Sequence, residues 1–384
     1  MPFDLQSFAT AQPSIAAKPA TSARPGIMRP STRPVALWLF VMCGMLLVMV
    51  ALGGATRLTG SGLSIMEWAP LMGTLPPLSE AEWQRLYGLY QTIPQYALVN
   101  QGFGLEGFKQ IFWLEWGHRF WGRMIGLAFL VPLIWFAVRG AIDGALGRRL
   151  GLLFLLGGLQ GGIGWFMVAS GFAANSTTVS PYRLVIHLTM ALVLYAAILW
   201  TALSLWREGR ADLNASPTSA TLRRLVAGTC VLLGLTIVAG GFVAGLRAGL
   251  IYNSFPLMDG KLVPDSYGQL QPFLRNFTEN VATVQFNHRV LATSTAILAL
   301  AAVAFGLYNG ATGRLRASLV ALGLAVAGQY VVGIATLLWV VPIGLGTAHQ
   351  AMAVLVLTAA LVTLHIQVGN RTIRRGAFDL PIPS

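Results

Sequence analysis

The chain has 384 residues, of which 55% are hydrophobic and only 10% are charged, whereas soluble domains carry roughly a quarter charged residues. This composition excludes a soluble globular enzyme. The formal net charge of +13 would also suit a nucleic-acid-binding protein, but the basic residues form short clusters between long uncharged stretches, which is typical of a membrane protein. We therefore predict a lipid bilayer as the surroundings and no nucleic-acid partner.

Eight apolar stretches are long enough to cross the hydrocarbon core, which takes about 20 residues in a helix. They predict an all-α polytopic membrane protein with transmembrane helices at 35–56, 116–138, 150–170, 183–205, 223–244, 286–308, 317–340 and 345–367. The first residues are rich in Pro, Ser and Ala and lack an early apolar core. A disordered tail at 1–34, rather than a signal peptide, is therefore expected.

The distribution of basic residues predicts the orientation of these helices. Sixteen of the 26 Lys and Arg lie in the two tails and in the short connections on one side of the membrane, and the positive-inside rule places that side and both termini in the cytoplasm. Among the outer connections, 57–115 and 245–285 are long. In the first of them, Ser79 and Glu82 have capping-box spacing, which predicts a short interfacial helix. This connection either simply folds over the outer face or forms a lid over a site below.

The two halves of the chain match each other. At one offset of 187 residues, Cys43 aligns with Cys230, Gly53-Gly54 with Gly240-Gly241, and Gly62-Leu63 with Gly249-Leu250. Further on, "EWGHRFWGR" at 115–123 matches "QFNHRVLAT" at 285–293, and Gln160 and Gly164 match Gln329 and Gly333. Four spans per half make both halves cross in the same sense, which predicts two parallel four-helix repeats. The predicted domains are 35–206 and 223–368, joined by a cytoplasmic linker at 207–222 and followed by a cytoplasmic tail at 369–384.

Four of the five histidines occupy equivalent places at the outer ends of even-numbered helices, namely His118, His187, His288 and His349. A lone membrane histidine is often only hydrogen-bonded packing. Two imidazoles per half, however, form the arrangement with which a helical bundle ligates a haem iron from both faces, whereas zinc or copper sites usually add Cys, Asp or Glu. We predict two bis-histidine haems. The fifth histidine, His365, lies about 24 Å along the helix from His349 and is assigned to the inner interface.

Several arginines adjoin these histidines. They either snorkel to the outer headgroups or pair with haem propionates. We favour propionate contact, chiefly for Arg119 and Arg289 and secondarily for Arg123 and Arg183.

The two halves of the repeat differ at one acidic residue. Three residues before its histidine, the first half has Glu115 where the second half has Gln285. One helical turn puts Glu115 on the same face as His118, where a carboxyl group could transfer a proton or stabilise a cationic intermediate. It could instead only complement the helix dipole. Glu115 is the candidate catalytic residue, which would make the first half the reactive one and the second half an electron carrier.

Taken together, these motifs resemble the haem A synthase family, the membrane enzymes that convert haem O to haem A for cytochrome oxidases. The segment "GGATRLTGSGLSIMEWAPLMGTLPP" at 53–77, "EWGHRFWGR" and the four histidines carry the resemblance. It covers nearly the whole chain after residue 34. It implies that a ring methyl of haem O is oxidised through an alcohol and a hydrated aldehyde to a formyl group, with a separate haem B as cofactor.

The resemblance also implies residue roles. His288 and His349 would ligate haem B, His118 and His187 would hold the substrate haem, and Glu115 would be the catalytic carboxylate. Some bacterial members carry a cysteine pair in the first outer loop, which residues 57–115 lack. This absence excludes a redox-active loop disulfide and is typical of the alphaproteobacterial and mitochondrial branch.

Localisation and partners follow from the same resemblance. We expect a multi-pass protein of the bacterial cytoplasmic (inner) membrane, with haem sites near the periplasmic side. Expected partners are haem O as substrate, haem O synthase, cytochrome oxidase assembly factors, an electron carrier of unidentified kind and further copies of the chain. The alternative is a dihaem, quinol-linked electron-transfer cytochrome, which needs the four histidines but not Glu115. A transporter would place its ligands nearer the midplane.

Overall fold

The computed structural model describes residues 32–70, 72–208 and 219–378. Within these ranges the chain is helical, with one isolated bridge between Met258 and Lys261. The α-helices are α1 (Arg33–Leu58), α2 (Glu80–Tyr90), α3 (Pro94–Leu98), α4 (Gly104–Val138), α5 (Gly144–Ala169), α6 (Pro181–Arg207), α7 (Ala220–Gly245), α8 (Asn276–Glu279), α9 (Val281–Tyr308), α10 (Gly313–Leu338) and α11 (Ile343–Phe378).

Eight helices of the described ranges are long and apolar enough to cross a membrane, which confirms the predicted spans. They are α1, α4, α5, α6, α7, α9, α10 and α11. Helix α4, which corresponds to the second predicted span, starts at Gly104, twelve residues before the predicted 116. Its first turns lie outside the apolar stretch and carry the Lys109–Glu106 ion pair at 2.8 Å. The tenth helix ends at Leu338, before the left-handed residues Val340 and Val341.

The predicted tails and linker lie largely beyond what the structure covers. Residues 1–31, 209–218 and 379–384 are outside the described residues. Where the predicted boundaries can be compared, α1 begins at Arg33, α7 begins at Ala220, and α11 continues through 369 to Phe378.

Each half of the chain closes a ring of four membrane-length helices. In the first half, α1 contacts α4 and α6, and α5 contacts α4 and α6. In the second half, α7 contacts α9 and α11, and α10 contacts α9 and α11. The rings meet where α1 and α6 pack on α11 and α6 packs on α7. Since lipid is as apolar as a leucine side chain, this contact depends on close packing rather than on exclusion of water.

The connection between α1 and α4 is a folded cap. Ser79 accepts a hydrogen bond from the Glu82 N–H at 3.2 Å, so α2 begins at the predicted capping box. Its aromatic core includes Tyr90 and Phe108, both 0% exposed, with ring centroids 5.4 Å apart. The cap therefore has a core of its own above the helix ends.

Candidate functional site

The fold brings the four predicted histidines together in two pairs. His118 on α4 and His187 on α6 lie on helices that both contact α1 and α5, and His288 on α9 and His349 on α11 line one cavity. All four side chains are partly buried. The predicted two-per-half grouping is thus present in the geometry, although the roles assigned to the pairs stay predictions.

Each imidazole lies against a glycine of another membrane helix. A Cβ built on Gly53 would lie 3.1 Å from Cε1 of His118, and one built on Gly164 would lie 2.9 Å from Cε1 of His187. In the second half the corresponding distances are 2.9 Å from Gly240 to His288 and 2.8 Å from Gly333 to His349. Real Cβ atoms seldom pack this tightly, so the rings lie in cradles that only glycine leaves open. The cradles recur at the positions that the sequence repeat aligns.

The ring nitrogens show which atoms could bind a metal. His288 Nδ1 lies 3.1 Å from the carbonyl oxygen of Thr236, so Nδ1 donates and Nε2 keeps its lone pair for an iron. Gln160 Nε2 lies 3.0 Å from His187 Nδ1 and 2.9 Å from the carbonyl oxygen of His187. Among the described residues, Nδ1 of His118 and Nδ1 of His349 are buried without a hydrogen-bond partner.

A cavity of about 560 Å³ opens between the helices of the second half and the adjoining first-half helices α1 and α6. His288, His349 and the cradle glycines Gly240 and Gly333 line it, together with many aliphatic side chains. Its volume lies within the range of cofactor sites, roughly 300–1,000 Å³. Two imidazoles and an apolar wall are the donor set and surroundings that an iron porphyrin requires.

Three arginines also line this cavity, and sequence reasoning found only Arg289. Its Nε is buried with no partner in the described ranges. Arg247 follows α7, and Arg57 reaches in from α1 of the first half, where its Nη1 donates to the Ala244 carbonyl at 2.8 Å. Arg57 and Ala244 are equivalent positions at the 187-residue offset, so the repeat alignment could have marked Arg57 as a residue without a counterpart. Such cations suit the carboxylates of a haem.

The other predicted propionate partners are bound to protein carbonyls. Arg123 donates to the carbonyls of Ala69 and Pro70, each at 2.8 Å. Arg183 donates to the Phe166 carbonyl at 2.7 Å and stacks 3.8 Å from the centroid of that ring. Their propionate contacts stay predictions.

Glu115 is 3% exposed, and both of its carboxyl oxygens accept hydrogen bonds. Oε2 accepts from Ser64 Oγ at 2.7 Å and from the Ile65 N–H at 2.8 Å. Oε1 accepts from Arg119 Nε at 3.0 Å and Nη2 at 2.6 Å. The candidate catalytic acid is thus held between its own helix and the segment that follows α1.

The folded cap reaches the second-half cavity. Val99, Asn100 and Phe103 lie at its lining, and Asn100 Nδ2 donates to the Tyr90 hydroxyl at 2.6 Å. Gln95 Nε2 ties the same region to the Gly60 carbonyl at 2.9 Å. The first half therefore contributes part of the wall around His288 and His349.

His365 lies apart from both pairs. It is 7% exposed, its ring packs edge-on against Trp200 with centroids 4.8 Å apart, and its Nε2 lies 3.1 Å from Ser204 Oγ. These contacts account for it as a packed, hydrogen-bonded side chain near the far ends of α6 and α11.

Comparison with known proteins gives one family for most of the chain. A family described as cytochrome oxidase assembly protein matches residues 36–361. A haem A synthase of Granulibacter bethesdensis is 61% identical over 331 residues, which are 86% of this chain and 86% of the relative. Haem A synthases of Nitrosospira multiformis and Azorhizobium caulinodans are each 49% identical, over 87% and 89% of this chain and 93% and 95% of their own lengths.

Proposed function

The chain belongs to the cytochrome oxidase assembly protein family, and we propose that it is a haem A synthase, a multi-pass membrane enzyme that oxidises haem O to haem A. The observation that carries this proposal is a chemical difference between two otherwise similar histidine pairs. A carboxylate, Glu115, lies three residues before His118, and an amide, Gln285, lies three residues before His288. One repeat thereby provides a reactive site and a cofactor site.

In the first half, His118 and His187 hold haem O, and a ring methyl of that substrate is oxidised through an alcohol and a hydrated aldehyde to a formyl group. Glu115 is the candidate catalytic carboxylate. Because both of its oxygens already accept hydrogen bonds, an electrostatic role toward developing positive charge agrees better with its surroundings than proton donation does.

In the second half, His288 and His349 hold a haem B, which when bound supplies one-electron transfer. The Thr236 carbonyl fixes the His288 ring with Nε2 free. Arg57, Arg247 and Arg289 line the cavity and would neutralise the propionates, and the aliphatic wall would exclude water. The cavity and the unpartnered Nδ1 of His349 support this assignment.

We further propose that both sites lie near the periplasmic side of a bacterial inner membrane. The concentration of basic residues in the opposite connections supports this orientation. Haem O synthase would supply the substrate, assembly factors would receive the product, and a separate electron carrier would remove the electrons.

Extraction of the pigments from the purified protein tests the function. We expect haem B together with haem O, haem A or a hydroxylated intermediate. Haem B alone, in a protein made beside an active haem O synthase, would support the dihaem cytochrome instead.

A further inference from the structure

The segments that follow α1 and α7 are held by the same arginine contacts. Arg119 Nη2 donates to the Ile65 carbonyl at 2.5 Å, and Arg289 Nη2 donates to the Tyr252 carbonyl at 2.6 Å. Arg119 Nη1 donates to the Glu67 carbonyl at 3.0 Å, and Arg289 Nη1 donates to the Ser254 carbonyl at 2.9 Å. These carbonyls are equivalent at the 187-residue offset. Each half therefore has one clasp, in which an arginine beside the histidine binds two loop carbonyls.

The residue one turn before each arginine completes the clasp. Glu115 Oε1 accepts from Arg119 Nη2 at 2.6 Å, and Gln285 Oε1 accepts from Arg289 Nη2 at 2.9 Å. At Oε1, the acid and the amide behave alike, because both accept a hydrogen bond from the guanidinium.

On the other side, acid and amide have opposite partners. Glu115 Oε2 accepts from the Ile65 N–H at 2.8 Å. Gln285 Nε2 instead donates to the Ile251 carbonyl at 2.6 Å and to the Ala248 carbonyl at 2.7 Å. The Ile65 N–H belongs to the 64–65 peptide and the Ile251 carbonyl to the equivalent 251–252 peptide, so one peptide presents its N–H where the other presents its C=O.

The backbone dihedrals agree with this reversal. Tyr252 has φ of 50°, in the left-handed region, whereas Ile65 is not among the residues with positive φ. Rotation of a peptide plane changes φ of the residue that follows it, and a non-glycine residue enters the left-handed region only where its surroundings hold it there. The donated bonds of Gln285 supply that constraint.

We propose that Glu115 is a positioning residue for the segment 62–67, in addition to any contact with substrate, and that Glu115 and Gln285 are matched to opposite orientations of one loop peptide. The carboxylate holds the Ile65 N–H inward beside His118, while the amide holds the equivalent carbonyl inward beside His288. Glutamine at 115 is then not a neutral copy of the second half, because its NH₂ group would face either the Ile65 N–H or the Arg119 guanidinium.

Hydrogen exchange of the full-length protein, purified without turnover, tests this proposal independently of the proposed function. In Glu115→Gln we expect the amides of 62–67 to exchange on the order of tenfold to hundredfold faster, since the partly buried Ile65 N–H loses its charged acceptor. Gln285→Glu should have the same effect on 248–254 and leave 62–67 unchanged. Exchange in Glu115→Gln within about twofold of the parent protein would overturn the proposal.

A rescue variant tests whether the faster exchange arises from the orientation of the 64–65 peptide or from a general loss of stability of the cap. Glycine enters the left-handed region without steric cost, so Ile65→Gly should let the 64–65 peptide turn over and present its carbonyl to Gln at 115. The double variant Glu115→Gln/Ile65→Gly should then exchange more slowly at 62–67 than Glu115→Gln alone, with Ile65→Gly alone as the control. If the two single effects simply multiply, the matching of side chain to peptide orientation is wrong.

Discussion

The imidazole of His288 lies directly against the backbone of Gly240, and a Cβ on that glycine would be 2.9 Å from Cε1 of the ring. The same contact recurs for the other three histidines of the two pairs. A methyl group on this glycine would displace the ring from the position that it occupies in the structure.

We therefore expect Gly240→Ala and Gly333→Ala to lower the haem B content of the purified protein to less than half. The matched control is Gly234→Ala on the same helix as Gly240, where a Cβ meets no atom within 4 Å. Haem content per protein is measured by absorbance of the pyridine complex. Equal haem content in Gly240→Ala and Gly234→Ala would show that the cradle does not position the ring.

The first-half cradle should affect the other pigment. We expect Gly164→Ala to reduce bound haem O and the yield of haem A while leaving haem B in place, because Gly164 packs on His187 alone among the four paired histidines. Gly161→Ala, on the same helix with open space around its Cβ, should retain both pigments. Loss of haem B in Gly164→Ala would reverse the assignment of the halves.

Replacing the histidines themselves tests the same assignment more severely. His288→Ala or His349→Ala should remove most of the haem B, because each substitution deletes one of the two imidazoles that line the cavity. His118→Ala should leave haem B bound and deplete the substrate haem. Chromatography of extracted pigments distinguishes these outcomes. A His288→Ala protein with full haem B and no haem O contradicts the proposal.

Arg57 offers a test of contact between the halves. We expect Arg57→Ala to weaken binding of haem B, although the residue lies on the first helix, because its guanidinium lines the second-half cavity. A loss of about tenfold in affinity is consistent with one charge-assisted hydrogen bond. Arg275→Ala, which removes an exposed guanidinium that pairs with Glu279 outside the cavity lining, is the control. Haem titration of the apoprotein measures both, and equal affinities would exclude Arg57 from the site.

The cap should loosen at acid pH. Hydrogen bonds from Arg85 hold the pKa of Glu67 and of Glu82 below the usual value. A carboxyl group with a lowered pKa stabilises the folded form above its unfolded pKa and loses that contribution as the pH falls through the folded pKa. Protease cleavage of α2 should therefore increase below about pH 4, and by a small amount, since these groups are exposed. In Arg85→Ala that increase should be much smaller; an unchanged pH profile would show that Arg85 is not the cause.

The sequence alone predicted the all-helical fold class and the eight membrane-length helices correctly. Length and hydropathy identified the eight spans, and the capping-box spacing of Ser79 and Glu82 located α2. Both signals are local, since a helix that crosses lipid must satisfy its own backbone and carry apolar side chains along its length. The motifs around the histidines also pointed to the family that the comparisons give.

Tertiary structure decided what the polar side chains contact. Arg119 donates to the carbonyls of Ile65 and Glu67, and its propionate contact stays a prediction. Arg57, which the sequence did not mark, lines the cavity of the opposite half. Arg119 is 52 and 54 positions from these carbonyls, and Arg57 is 187 positions from the Ala244 carbonyl to which it donates. Such contacts depend on how the helices pack and on which way a loop peptide turns. The sequence by itself determined the spans, the register of the histidines and the exchange of Glu115 for Gln285, because those are properties of single segments. The glycine cradles and the opposite peptide orientations behind that exchange exist only once the segments are brought together.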